Sequence, residues 1–424
     1  MEKPVPNPPH AWRWVPSLYF CQGMPNAVMT SLSVVMLKNL NVSNADITFY
    51  TSMPYLPWVI KPLWSPLVDL FGKKRQWIIA LQFVISLAFG LIALTVPGSD
   101  FVRSVVVLLW LMAFSSATHD IAADGFYLHA LPPEQQAAFV GVRSTCFKLA
   151  TLAGKGGLVW LAGRLLGITG SATQAWSGIF ILLALLFLFA ALYHGRALPV
   201  IAERTDANRA RPTFMDALRV FGLFFRKPDV IVALFFLLVY RLAEAFALKL
   251  VEPFLLDPRD KGGLGLTNEQ LGLANGVVGV AALLGGGLLG GWLVSRHGLR
   301  RMLWPMIFVM HVPIVVFLLL AVAQPENLFL INAALGAEQF GYGFGFTAYM
   351  VFMMMIAEGE HKTAHYAICT GFMAAGIMLP GLVAGKIQEH VGYVNFFVWV
   401  CVATLPSFVA TALVKVDPAF GKKT

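Results

Sequence analysis

The chain has 424 residues, of which 58% are apolar and only 12% charged. A soluble domain carries about a quarter charged residues, so a water-soluble fold is excluded and lipid must solvate most of the surface. The formal net charge is +9, but the basic residues punctuate apolar runs instead of massing on a face or tail, which argues for membrane orientation and against nucleic acid.

A hydrocarbon core about 30 Å thick needs about 20 mostly apolar residues per helix. Residues 1–10 are polar and Pro-rich, without the basic start and small-residue cleavage site of a signal peptide, so the first apolar segment reads as retained. Segments of spanning size fall near 14–38, 45–69, 77–97, 103–127, 136–163 and 172–193. A second set falls near 229–256, 267–295, 302–323, 326–356, 363–386 and 392–414. The pattern predicts an all-α polytopic membrane protein with twelve transmembrane helices. Its organisation reads as a six-helix half over 1–198, a linker over 199–228 and a second half over 229–424. The stretch 194–228 is the longest polar one and holds seven basic residues. Placing both termini in the cytoplasm puts 19 of the 31 Lys and Arg residues inside and 6 outside, which sets the orientation by the positive-inside rule.

The halves repeat. Residues 42–47 (VSNADI) echo 266–271 (LTNEQL) at an offset of 224, and 67–75 (LVDLFGKKR) echo 293–301 (LVSRHGLRR) at 226. Residues 137–139 echo 364–366 at 227. Three matches in register point to a duplicated six-helix unit, with a shared site near the midplane between the copies.

Charged residues inside spans are functional candidates by default, because burying them in lipid is costly. In the first helix Gln22 and Asn26 flank Pro25, which marks a kink and offers two amides to a cargo. The second carries Lys61. The fourth carries Asp120 and Asp124, four apart and hence on one face. Both are candidates for proton coupling, and pairing with Lys73–Arg75 is the structural alternative. The fifth carries Arg143, Lys148 and Lys155, the last two on roughly one face. In the seventh, Arg241, Glu244, Lys249 and Glu252 fall within an arc of about 140°. That stripe must face a cavity, an internal ion-pair network, or both. Glu244 joins the proton-coupling set, and Tyr240 and Arg241 the cargo-binding set with Gln22, Asn26, Lys61 and Lys148. Lys249 and Glu252 approach the outer end as gate or rim residues. The tenth helix adds Glu338 and Tyr342 among closely spaced glycines and aromatics, a pattern suited to cargo stacking or to small-residue helix packing.

No Walker-type loop, metal-ligand cluster or nucleophile–base set is visible, so the chain is expected to be neither an enzyme nor an ATP-driven pump, and to need no metal or cofactor. The four cysteines read as packing residues. His361 and His365 sit at a loop-to-helix junction and read as solvated.

Residues 69–75 (DLFGKKR) combine an acid, a turn-forming Gly and a basic cluster. Asp69, Gly72, Lys73, Lys74 and Arg75, with Gly298, Arg300 and Arg301 in the second half, suit a conformational latch. The loop resembles the signature loop of the major facilitators, a fold of two six-helix pseudo-repeats. The second-helix run 61–69 (KPLWSPLVD), the fourth-helix run 118–124 (THDIAAD) and the seventh-helix run 240–246 (YRLAEAF) are similar to motifs of AmpG-type anhydromuropeptide permeases. Lys61, Asp120 and Asp124 match charged motif positions; Arg241 and Glu244 match in charge only. His119 replaces a more usual amide, and Gly125 an alanine. The resemblance implies an importer of cell-wall glycopeptides in a bacterial inner membrane, driven by the proton gradient; a monomer is expected. The wider family includes siderophore and acetyl-CoA transporters, which leaves those and sugars as alternative cargo.

Overall fold

The computed structural model describes residues 11–70, 73–200, 214–418, 420 and 421. Among the described residues all regular structure is helical. Spans 1 to 6 are Ala11–Asn39, 44–70, Lys74–Thr95, Phe101–Ala130, 133–169 and Ala172–Ala197. Spans 7 to 10 are Val230–Leu256, Asn268–His297, Leu299–Ala323 and Leu328–Ala357. A helical run Lys362–Val402 is broken at Gly392 (φ 76°, ψ 171°), which separates span 11 from span 12, and span 12 ends with Leu405–Leu413. The expected linker carries a short helix, Phe214–Phe224.

Local chemistry sets the ends. Ser43 accepts a hydrogen bond from the Asp46 amide (3.1 Å) and starts span 2; Thr267 accepts one from the Gln270 amide (3.3 Å) and starts span 8. These are N-caps, which satisfy amides that have no partner within the helix. They occupy the two positions matched at offset 224. The turn from span 8 to span 9 passes through Gly298 at φ 81° and ψ 157°, a region open essentially to glycine alone.

The packing repeats as the sequence does. Span 1 lies on span 5 as span 7 lies on span 11, and span 2 lies on span 4 as span 8 lies on span 10. The halves meet through span 2 on span 11 and span 5 on span 8, a pair related by the same pseudo-two-fold. Large exposed apolar side chains such as Leu94, Phe189, Ile231 and Leu288 lie on the periphery, where lipid replaces water.

Several spans are bent. Span 1 passes Pro25 and then a π-helical turn, Val28–Leu32; spans 5 and 8 contain π-helical turns at Ala153–Leu158 and Ala274–Gly279. Such turns recur at functional sites. Span 7 departs from regular helix near Arg241 and again at Lys249–Leu250. In span 10 the glycines serve packing: a Cβ on Gly341 or Gly343 would collide with the carbonyl oxygens of Val309 and Leu283 on the neighbouring spans.

Candidate functional site: a central cavity closed at one end

A cavity of about 460 Å³ lies between the halves. Its first-half wall includes Asn26, Lys148 and Lys155; its second-half wall includes Arg241, Glu338 and Tyr342. A vestibule of about 660 Å³ lies toward the termini, lined by Tyr19, Gln22, Arg143 and Lys362. Phe147 and Lys148 line both spaces, so the cavity leads toward that end.

The other end is sealed by contacts between the halves. Lys38 pairs with Asp257 at 2.7 Å. Asn44 donates to Gln388 (2.7 Å) and to the Tyr393 oxygen (2.9 Å), while the Tyr393 hydroxyl donates to Asp257 (2.6 Å). Beside them Gly156 and Gly276 meet backbone to backbone, where a Cβ on Gly156 would fall 2.5 Å from the Gly276 Cα. The chain is therefore closed at the far end and open toward its termini.

The charged stripe on span 7 holds both of the roles expected for it. Arg241 donates from Nε to Glu244 Oε2 (2.9 Å) and from its terminal nitrogen to Glu244 Oε1 (3.1 Å) and the Tyr342 oxygen (3.0 Å). Its guanidinium also lies 4.8 Å from the Phe346 ring centre, a cation–π contact. The pair is buried, yet both residues line the cavity. Removing one partner of a buried pair strands the other charge, at about 3–5 kcal/mol. Arg241→Met is therefore expected to lower the Tm of the purified chain sharply, and Arg241→Met with Glu244→Gln to recover most of the loss. A double variant no more stable than the single one would show that the charges are not coupled.

Further along span 7, Lys249 is fully buried and donates to the carbonyls of Met29 and Thr51 and to the Thr51 hydroxyl, all at 3.1–3.2 Å. Every acceptor is on the first half. Glu252 Oε1 accepts from Ser31 (2.5 Å) on the first half and from Asn275 (3.2 Å) on the second. These two residues clasp the halves in the far half of the interface.

The acids of span 4 are separated by environment. Asp120 is held at Oδ2 by the Trp58 indole N–H (3.1 Å), and its buried Oδ1 makes no hydrogen bond of good geometry among the described residues. Lys61 stands within electrostatic reach of it, and the neutral Gln22 amide lies close enough to serve as a further donor. Asp124 instead takes hydrogen bonds from Arg143 (2.6 Å) and the Tyr19 hydroxyl (3.0 Å). Arg143 in turn lies over the Tyr19 and Tyr127 rings at 4.2 and 4.4 Å. The ion-pair partner of Asp124 is thus Arg143, not the basic cluster at 73–75.

Gly72 and the side chain of Asp69 lie outside the described residues. Lys73 is exposed, and Arg75 donates to the carbonyls of Leu198 and Gly195 at the end of span 6. Lys74 packs against Gly125 of span 4. Arg300 and Arg301 are exposed beside the Gly298 turn.

Three expectations need correction. Tyr240 does not line the cavity; it is fully buried, donates to the Gly345 carbonyl (3.1 Å) and packs on Tyr349 and His311. It stands just before Arg241, where the helix is interrupted between Val239 and Leu242, and there its ring turns toward span 10. Lys61 lines neither space and stands near Asp120 instead. His365 is buried, not solvated, because Phe224 of the linker helix packs on its ring.

Two features escaped the sequence. One is the Lys38–Asp257 seal. The other is a buried chain: Ser17 to His194 (2.9 Å), His194 to Gln82 (2.9 Å), and Gln82 to His119 (3.1 Å). The orientation in which Gln82 accepts from His194 and donates to His119 leaves both imidazoles neutral and joins spans 1, 3, 4 and 6. An amide in the middle carries no proton along such a chain, so its role is to pin the helix beside Asp120. The substitution of an amide by His119 was the one signal available.

Three comparisons bear on this architecture. The sequence model described as Major Facilitator Superfamily matches residues 17–256. The chain is 27% identical over 399 residues to the anhydromuropeptide permease of Escherichia coli strain K12, covering 92% of this chain and 77% of that protein. It is 23% identical over 396 residues to a putative transporter, AmpG 4, of Rickettsia conorii, covering 91% and 92%. Among solved structures, a D-xylose–proton symporter superposes with a TM-score of 0.71 at 13% identity, covering 97% of this chain and 98% of that one. At that identity the likeness concerns the fold alone.

Proposed function

We propose, from the premise that this chain belongs to the major facilitator superfamily, that it imports cell-wall glycopeptides of the anhydromuropeptide class with protons across a bacterial inner membrane. As a member of that family it is a multi-pass secondary transporter of small solutes and not an enzyme. The observation that carries the transport reading is the charged cavity between the halves, open at one end and sealed at the other, as alternating access requires. With the basic residues placed by the positive-inside rule, both termini face the cytoplasm and the vestibule opens inward.

The cargo reading is supported by the relatives named above and by the runs in spans 2, 4 and 7. The cavity suits it chemically. Arg241, Tyr342 and Phe346 present a flat cationic and aromatic surface to a sugar ring, and Lys148 and Lys155 offer cations to carboxylates. Asp120 is the preferred proton carrier. Asp124 and Glu244 already neutralise guanidinium groups, and their part is to hold Arg143 and Arg241 in place.

Purified chain in proteoliposomes should accumulate labelled anhydromuropeptide under an inward proton gradient, and a protonophore should collapse the accumulation. Absence of uptake both with and without the gradient would remove muropeptides as cargo.

A further inference from the structure

The charges around the cavity are segregated between the two halves. The first-half wall contributes Lys148 and Lys155, and neither has a hydrogen-bond or ion-pair partner among the described residues. The second-half wall contributes Arg241, Glu244, Glu252 and Glu338. Arg241 and Glu244 cancel each other, which leaves Glu252 and Glu338 facing Lys148 and Lys155 across the lining; Lys249, behind the lining, is within electrostatic reach of Glu252 but spends its donors on Met29 and Thr51. Among the described residues Glu338 accepts only from the neutral Gln339 amide (2.8 Å). Glu252 is 5% exposed, lines the cavity, and keeps one buried carboxylate oxygen, Oε2, without a partner.

Lys155 sits on the π-helical turn of span 5, within electrostatic reach of both acids but outside ion-pair distance of either. A buried carboxylate oxygen left unpaired is expensive. An anionic cargo would satisfy the lysines and worsen the acids, and a cationic one would do the reverse. A cargo carrying both charges satisfies both walls and draws the halves together across itself.

We propose that the far end of the cavity is a two-point subsite for a zwitterionic amino-acid or peptide end, with its ammonium on Glu252 and its carboxylate on Lys155. The inference rests on the cavity being the cargo path. Within the proposed cargo it assigns the peptide to the far end and the sugar to the surface of Arg241, Tyr342 and Phe346.

The test uses purified full-length chain and three probes: dialanine, N-acetyl-dialanine and dialanine amide. Binding is read as the shift in Tm with probe concentration. Dialanine should bind at least about tenfold more tightly than either singly charged probe, as expected for one charge-assisted hydrogen bond lost. In Glu252→Gln, dialanine and N-acetyl-dialanine should become equivalent; in Lys155→Met, dialanine and its amide should. Equal affinity of the three probes for the unaltered chain, or no binding of any, overturns the subsite. So does loss of the ammonium preference in Glu338→Gln with its retention in Glu252→Gln. The glycopeptide uptake assay reads the other proposal separately. Failed uptake with intact dipeptide discrimination retires the cargo and keeps the subsite, and uptake without discrimination does the opposite.

Discussion

Replacing Asp120 by asparagine is expected to abolish gradient-driven accumulation and to leave counterflow exchange of the same cargo intact. The side chain is half-buried within span 4, with Oδ1 shielded from solvent. Trp58 donates to one oxygen, and the other makes no hydrogen bond of good geometry among the described residues. The indole bond can persist whether or not a proton is present, so the group can load and unload without dismantling its surroundings. Asparagine keeps the size and can keep the acceptor for Trp58, but it cannot take up or release a proton. Alternating access should therefore continue and carry cargo downhill, with the accumulation ratio falling to unity. Asp124→Asn should behave differently: it strands Arg143 beneath two tyrosines, so driven uptake and exchange should fall together. If Asp120→Asn still accumulates cargo against a gradient, the proton travels elsewhere.

The two acids show what a sequence can disclose. Their spacing placed them on one face, and the cost of charge in lipid marked them as functional. Their different roles depend on Trp58, Tyr19 and Arg143, which come from spans 2, 1 and 5. The spans themselves were legible because lipid imposes a length and an apolar composition on each. The repeat was legible because Ser43 and Thr267 perform the same capping task. Lys148 and Lys155 reach the cavity as their spacing implied. The seal was not legible: Lys38 and Asp257 lie on different halves, and nothing local to either reports the other. Tyr240 was misplaced because the helix is interrupted between Val239 and Leu242, so neighbours in sequence need not share a face. His365 was misplaced because its cover, Phe224, arrives from the linker.

A leucine at Gly276 is expected to hold the far end open and stop transport. The seal depends on close backbone approach at the crossing of spans 5 and 8. A Cβ on Gly276 would fall 2.8 Å from the Gly156 Cα, and one on Gly272 would fall 2.7 Å from the Trp160 nitrogen and 2.8 Å from the Gly156 oxygen. Backbone cannot yield there as a flexible side chain would, and overpacking of this kind costs about 1–3 kcal/mol or more. Conformations that interconvert differ by only a few kcal/mol, so a penalty paid in the sealed state alone shifts the balance about tenfold to a hundredfold. Thiol labelling from each side reads this shift. Labelling of an introduced Gln388→Cys, buried in the seal, should rise in the Gly276→Leu chain, while labelling of Ser144→Cys on the vestibule wall should fall. Gly276→Ala should give a smaller shift in the same direction. Unchanged labelling at both positions, in a chain that still folds and reaches the membrane, would mean that the ion pair and the Asn44–Tyr393 network close the far end without help from the glycines.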